Sequence, residues 1–174
     1  MRIKKFFVCI LAVFFSLSIA LFAQGQKSVD PVNWRELVPF LADIQGWDAK
    51  GEAEGSSFSM GNYKVSKASR EYSSGDKGLE IEIVDGGFAP MVYAGIKMAM
   101  SFEIDTSDEY LKKITIKNYP GVEKYQYRNK EAEVIILISE RFVVTLKGDN
   151  FEDTKELKAI AETLDLDGIA ALGK

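Results

Sequence analysis

Five consecutive aliphatic residues, Val134-Ile135-Ile136-Leu137-Ile138, constrain this chain more than any other stretch. Side chains of a strand alternate between two faces, so an unbroken apolar run is apolar on both. Such a strand belongs in the middle of a sheet with other elements packed against it on each side. Its surroundings fit that reading. Turns at Arg128-Asn129-Lys130 and Glu140-Arg141 bound it, and residues 122–127 and 142–147 read as the neighbouring strands.

Further strands run over 63–72 and 79–84, joined by Ser73-Ser74-Gly75-Asp76-Lys77-Gly78. Leu79, Ile81 and Ile83 share one face, with Glu80 and Glu82 on the other. A turn centred on Gly75 sets Arg70 opposite Glu80. A short strand is expected over 48–54, in a stretch rich in Gly, Ser and Glu. Another falls within 110–118, and Tyr119-Pro120-Gly121 after it predicts a type II turn.

Three helices are expected. Asn33 caps one over 34–44, with Trp34, Leu37, Val38 and Leu41 at i, i+3, i+4, i+7 and Pro39 able to kink or split it. A second, over 90–102, has only Tyr93, Lys97 and Ser101 as a polar stripe, so it should be buried on most sides. The third carries Leu157, Ile160, Ala161 and Leu164 on one face, with Asp153 and Glu156 spaced as a capping box. Asp165 or Asp167 then caps a last short turn.

Consecutive strands with short turns predict an α+β fold. It has a mainly antiparallel sheet of about six or seven strands, an N-terminal helix, a central apolar helix and a C-terminal amphipathic helix. A single domain spans 33–174, after a flexible lead-in at 24–32. This layout, with its Trp34 helix, Gly46-Trp47 pair, meander and closing helix, resembles the Mog1/PsbP-like α+β sandwich. It is also similar to small exported bacterial proteins of unknown function. The resemblance is architectural and covers most of the chain beyond Ala23. It carries no functional residue, and it implies a binding or accessory role rather than catalysis.

Residues 1–23 have the parts of a secretory signal peptide. Arg2, Lys4 and Lys5 precede an apolar run at 6–20, and Ala23 offers a small residue before a cut. The alternative is an uncleaved anchor, which leaves the domain on the same side of the membrane. Either way the expected location is extracytoplasmic, periplasmic or secreted, and membrane contact is expected only if the segment stays.

Removing residues 1–23 takes the formal charge from −4 to −7. That argues against nucleic acid and anionic membrane surfaces as partners. The chain has no histidine, and its only cysteine is Cys9. The mature chain therefore has no disulfide, no ordinary zinc, copper or haem site, and no Ser-His-Asp or Cys-His catalysis. No cofactor and no metal is expected.

Asp165-Leu166-Asp167-Gly168 and the acidic cluster at 148–153 read as caps and turns rather than calcium loops. Glu80 with Glu82, Asp108 with Glu109, and Glu131 with Glu133 read as solvated strand faces. The candidate binding residues are Phe88, Met91, Ile96, Met98 and Met100 on the apolar helix, since methionine adapts to varied partners. Tyr119, Tyr125 and Tyr127 are a possible aromatic surface around one turn. The function expected is a non-catalytic exported domain binding a protein partner or an apolar small molecule. The alternative is a carboxylate-dependent hydrolase, which needs an acidic pair in a cleft.

Overall fold

The computed structural model describes residues 30–174 apart from 61, 62, 87 and 88, and for Tyr63 and residues 89–93 it describes the backbone only. The expected signal segment at 1–23 and most of the lead-in lie outside the described residues.

In chain order the elements are helix α1 (Trp34–Leu37), a 3-10 turn (Val38–Phe40), strands β1 (Asp48–Ala49), β2 (Glu54–Met60), β3 (Tyr63–Ser74) and β4 (Lys77–Gly86), and helix α2 (Ala89–Ala99). Then follow β5 (Ile104–Asp105), β6 (Glu109–Ile116), β7 (Tyr119–Gln126), β8 (Glu131–Ile138), β9 (Phe142–Asp149), α3 (Lys155–Thr163) and α4 (Leu166–Ala171). All nine strands form one sheet in the order β1-β3-β4-β9-β8-β7-β6-β5, with β2 also pairing β3. Each pairing is antiparallel.

The expected architecture of six or seven strands and three substantial helices is therefore corrected: the sheet has nine strands and the helices are short. The unforeseen strands are the two-residue β5 and, more consequentially, β2. Its sequence, Glu54-Gly55-Ser56-Ser57-Phe58-Ser59-Met60, lacks an apolar alternation, and it is a strand because the twelve-residue β3 offers it an edge. The N-terminal helix is a single turn. Asn33 and Glu36 form its capping box, and Pro39 then falls in the 3-10 turn. Pro39 has no N–H to continue an α-helical ladder. The closing helix breaks at Leu164, whose ψ is 146°, and α4 restarts from Asp165, whose carboxylate accepts from Gly168 N.

Two turns also differ from expectation. Ser74 pairs Lys77 across Gly75-Asp76, so Arg70 faces Ile81 and Glu71 faces Glu80. Arg70 instead donates to Leu41 O at 2.9 Å and reaches Asp43 at 3.0 Å. The second difference is at β7, which already includes Tyr119 and Pro120; its turn is Lys117-Asn118. Pro120 is tolerated because pairing with β8 begins only at Gly121, so no ladder hydrogen bond to that side is lost.

The sheet buries one face throughout and the other at one end, and the central strand β8 contributes to both. β8 lies between β7 and β9, and Val134, Ile136, Leu137 and Ile138 are fully buried. On the first face Leu79, Ile81, Ile83, Val134, Ile136, Val144 and Leu146 pack under α1, α3 and α4. The α3 stripe Leu157, Ile160 and Ala161 faces them, and Leu164, Leu166 and Ile169 extend it. Trp47 stacks on the buried Phe151 with centroids 5.9 Å apart. Gly148 makes room there, since a Cβ on it would come within 2.5 Å of the Phe151 ring.

Polar groups on the first face are matched. The Tyr110 hydroxyl donates to Thr154 Oγ1, which donates to Glu123, and Lys158 Nζ lies 2.8 Å from that carboxylate. At the end of β4 the fully buried Asp85 accepts from both Nε and Nη2 of Arg141 at 2.8 Å, and Val32 N donates to it as well. Asp85 thereby ties the start of the domain to the β8–β9 turn. No buried side-chain nitrogen or oxygen lacks a partner among the described residues.

Candidate functional site

The second face of the sheet is only half covered, and the candidate site lies there. Alternation sends Glu80, Glu82 and Val84 of β4, and Val143, Thr145 and Lys147 of β9, to this side. Glu131, Glu133, Ile135 and Leu137 of β8 and Val122, Lys124 and Gln126 of β7 join them. Register then sorts these residues into rows. Val84, Val143 and Leu137 make an apolar row, Glu82, Thr145, Ile135 and Val122 a mixed one. The third row is Glu80, Lys147, Glu133 and Lys124, whose charges alternate in sign across four strands.

Helix α2 covers the apolar end. Ile96 is buried against Val122, Leu137 and Val143, with Ala99, Met100 and Ile135 packed around them. This helix nevertheless has more apolar surface than one contact face uses. Ala94 and Gly95 are exposed, Met98 is 68% exposed, and Phe102, just past the last turn, is 44% exposed. Ala94 and Met98 are four residues apart on one outward stripe of the helix, and the exposed Phe102 follows just beyond its end. Lys97 is held beside that stripe by Glu140 at 2.7 Å, and this hydrogen bond keeps the Glu140 carboxyl below its ordinary value.

The charged end is open. A depression of about 260 Å³ is lined by Lys124, Gln126, Glu131, Glu133, Lys147 and Asp149. Lys124 reaches Glu109 at 3.0 Å, whereas Glu133 and Lys147 form no ion pair among the described residues. Facing charges on neighbouring strands are close enough to attract without being locked together. The depression can thus present both signs of charge to a polar partner.

The expected binding residues separate. Ile96 is core, Met100 is half-buried beside it, and Met98 is open. Met91 lies in the first turns of α2, its side chain outside the described set, and Phe88 is not among the described residues. The three tyrosines do not form one surface. Tyr119 is at the start of β7, where its hydroxyl donates to Asp167 at 2.7 Å and is pushed up by that bond. Tyr125 is buried and donates to Phe151 O at 2.8 Å; burial raises it too. Only Tyr127 is exposed, edge-on to Tyr125 at 5.4 Å. Tyr110, whose centroid is 5.8 Å from that of Tyr125, completes the actual cluster; its place in an alternating strand was the one signal for it.

The acidic pairs are ordinary strand-face groups. Glu82 pairs with Lys67, Asp108 with Arg128 at 2.9 Å and Glu109 with Lys124. The cluster at 148–153 serves a turn and a helix entry, not the expected capping box: Asn150, with φ 63°, donates to Asp76, the Asp153 carboxylate accepts from Lys155 N, and Glu156 is held by Lys77. Among the described residues no three acidic side chains gather as a metal ion would require, and no helix is long and apolar enough to cross a membrane. Comparison with protein-family models, with curated proteins and with solved structures gave no match in any of the three.

Proposed function

We propose that this chain is an exported, non-catalytic binding domain that docks a protein partner on the outer stripe of α2. The observation that carries this reading is the stripe itself. A helix apolar nearly all round packs one side on the sheet and leaves Met98 and Phe102 in the open. Apolar surface left exposed on a folded domain is characteristic of a contact site. A protein partner is favoured over an apolar small molecule because the depression on this face is lined by charges. Such a surface suits a partner that meets an apolar stripe and a polar rim together. The positive start and apolar run at 1–20 support export.

A hydrolase would need a carboxyl held protonated inside a closed cleft. Glu131 and Asp149 are instead exposed, and Glu133 lies in register between two lysines. The test is a photo-crosslinking residue at position 98, with one at the exposed Ala159 on the opposite side as control. Crosslinks to one partner from position 98 alone, lost on Phe102→Asp with unchanged thermal stability, are expected. Equal crosslinking from both positions, or none from position 98 in the extracytoplasmic fraction, would reject the docking surface.

A further inference from the structure

We propose that β2 is a homodimerisation edge, at which two copies pair their β2 strands antiparallel about a two-fold axis. The strand is in register with β3 at seven successive positions, Glu54↔Ser69 to Met60↔Tyr63, and pairs with nothing on its other side among the described residues. Alternate backbone N–H and C=O groups along that outer side are left to water or to another strand.

Natural sheet edges are blunted by charge, proline, bulges or brevity. The opposite edge of this sheet uses two of these devices: β5 is two residues long, and β6 behind it carries Glu109, Lys112 and Lys113. The β2 edge uses none. Its one charge is Glu54 at the end, it has no proline, its register is unbroken, and no residue from 54 to 60 has a positive φ. It is also backed. Trp34 lies so close to Gly55 that a Cβ there would come within 2.2 Å of the indole, so the strand is held from below by α1. On the side away from Trp34, Phe58 and Met60 are 55% and 58% exposed, and Phe58 stands beside Val65.

Charge and symmetry select a second copy. With a single carboxylate at one end, antiparallel pairing keeps the two Glu54 groups at opposite ends, whereas parallel pairing would set like charges together. A two-fold centred on Phe58 puts Phe58 opposite Phe58 and Met60 opposite Ser56 of the other copy. The same patch is then used twice, as an isologous interface requires. The result is one continuous sheet through both molecules, with the Phe58 rings sheltering each other.

Sedimentation of the full chain over a range of concentrations tests this. The expected result is a concentration-dependent dimer whose dissociation constant rises more than tenfold in Phe58→Lys, where two ammonium groups would face each other. Because Phe58 is largely exposed, that variant keeps its fold, and circular dichroism verifies it. Phe58→Cys in a Cys9→Ser background adds a second readout. Residues opposite each other on antiparallel strands lie about 4.5–5.5 Å apart at Cα, within disulfide reach. An intermolecular disulfide is expected from position 58 and not from Ser139→Cys in the same background. A monomer at every concentration, a dimer unaffected by Phe58→Lys, or equal crosslinking at 58 and 139 overturns the proposal. The α2 stripe can be lost or kept independently, since its readout is partner crosslinking from position 98.

Discussion

The two faces of the sheet are built from the same strands and finished differently. The first is closed by α1, α3 and α4. Its polar groups are matched one to one, down to the Tyr110–Thr154–Glu123–Lys158 chain. The second is closed only at one end, by α2, and its charged row leaves Glu133 and Lys147 without an ion pair among the described residues. A domain stabilised on one face can leave the other under-committed, and surface that stability does not require is free to bind.

The sharpest way to break this contrast is to remove equivalent apolar bulk from each side. Phe151→Ala on the first face should cost about 3–5 kcal/mol in denaturant unfolding, because Trp47 and Leu157 cannot both collapse into the gap. Ile96→Ala on the second should cost about 2 kcal/mol, at the low end for such a change, since its cluster is small. If the second loss matches the first, the faces are equally structural. A smaller effect is expected in the charged row. Lys147→Gln should change stability by no more than about 0.5 kcal/mol, the ordinary range for an exposed, unlocked charge; a larger loss would mean that the row holds the sheet together.

The smallest expected effect is a pH dependence at the first face. Asp153 is held below its ordinary value of 3.8, chiefly by its side-chain bond with Lys155 and also by accepting from Lys155 N. A depressed carboxyl adds stability that is present above pH 3.8 and is lost as pH falls through the lower folded value. Acid titration of unfolding in the native chain and in Asp153→Asn should therefore converge below that point. Parallel curves would show that this carboxylate contributes nothing.

Much of the first face is legible in the residues that build it. The spacing of Leu157, Ile160 and Ala161, the alternation in β4 and the double-sided apolar run of β8 each follow from a local period, and burial matches it. The strand β2 was not legible, because Gly and Ser show no period and its state is set by β3. The apolar character of α2 could be read in advance, but the burial on most sides expected from it is not met, since the sheet covers one side and leaves Met98 open. The charged row was hidden for a different reason. Glu80, Lys124, Glu133 and Lys147 are scattered along the chain, and only the registers of four strands bring them into line.

The Asp85–Arg141 clamp has a consequence in time. Its partners are 56 positions apart, and β4 likewise finds its neighbour β9 only after the whole second meander. A chain emerging N-terminus first therefore presents Asp85 as an uncompensated charge, on a strand paired only with β3, until Arg141 and β9 have appeared. Long-range closure of this kind slows folding. Such a delay keeps the polypeptide threadable, which is what the export route proposed for it demands.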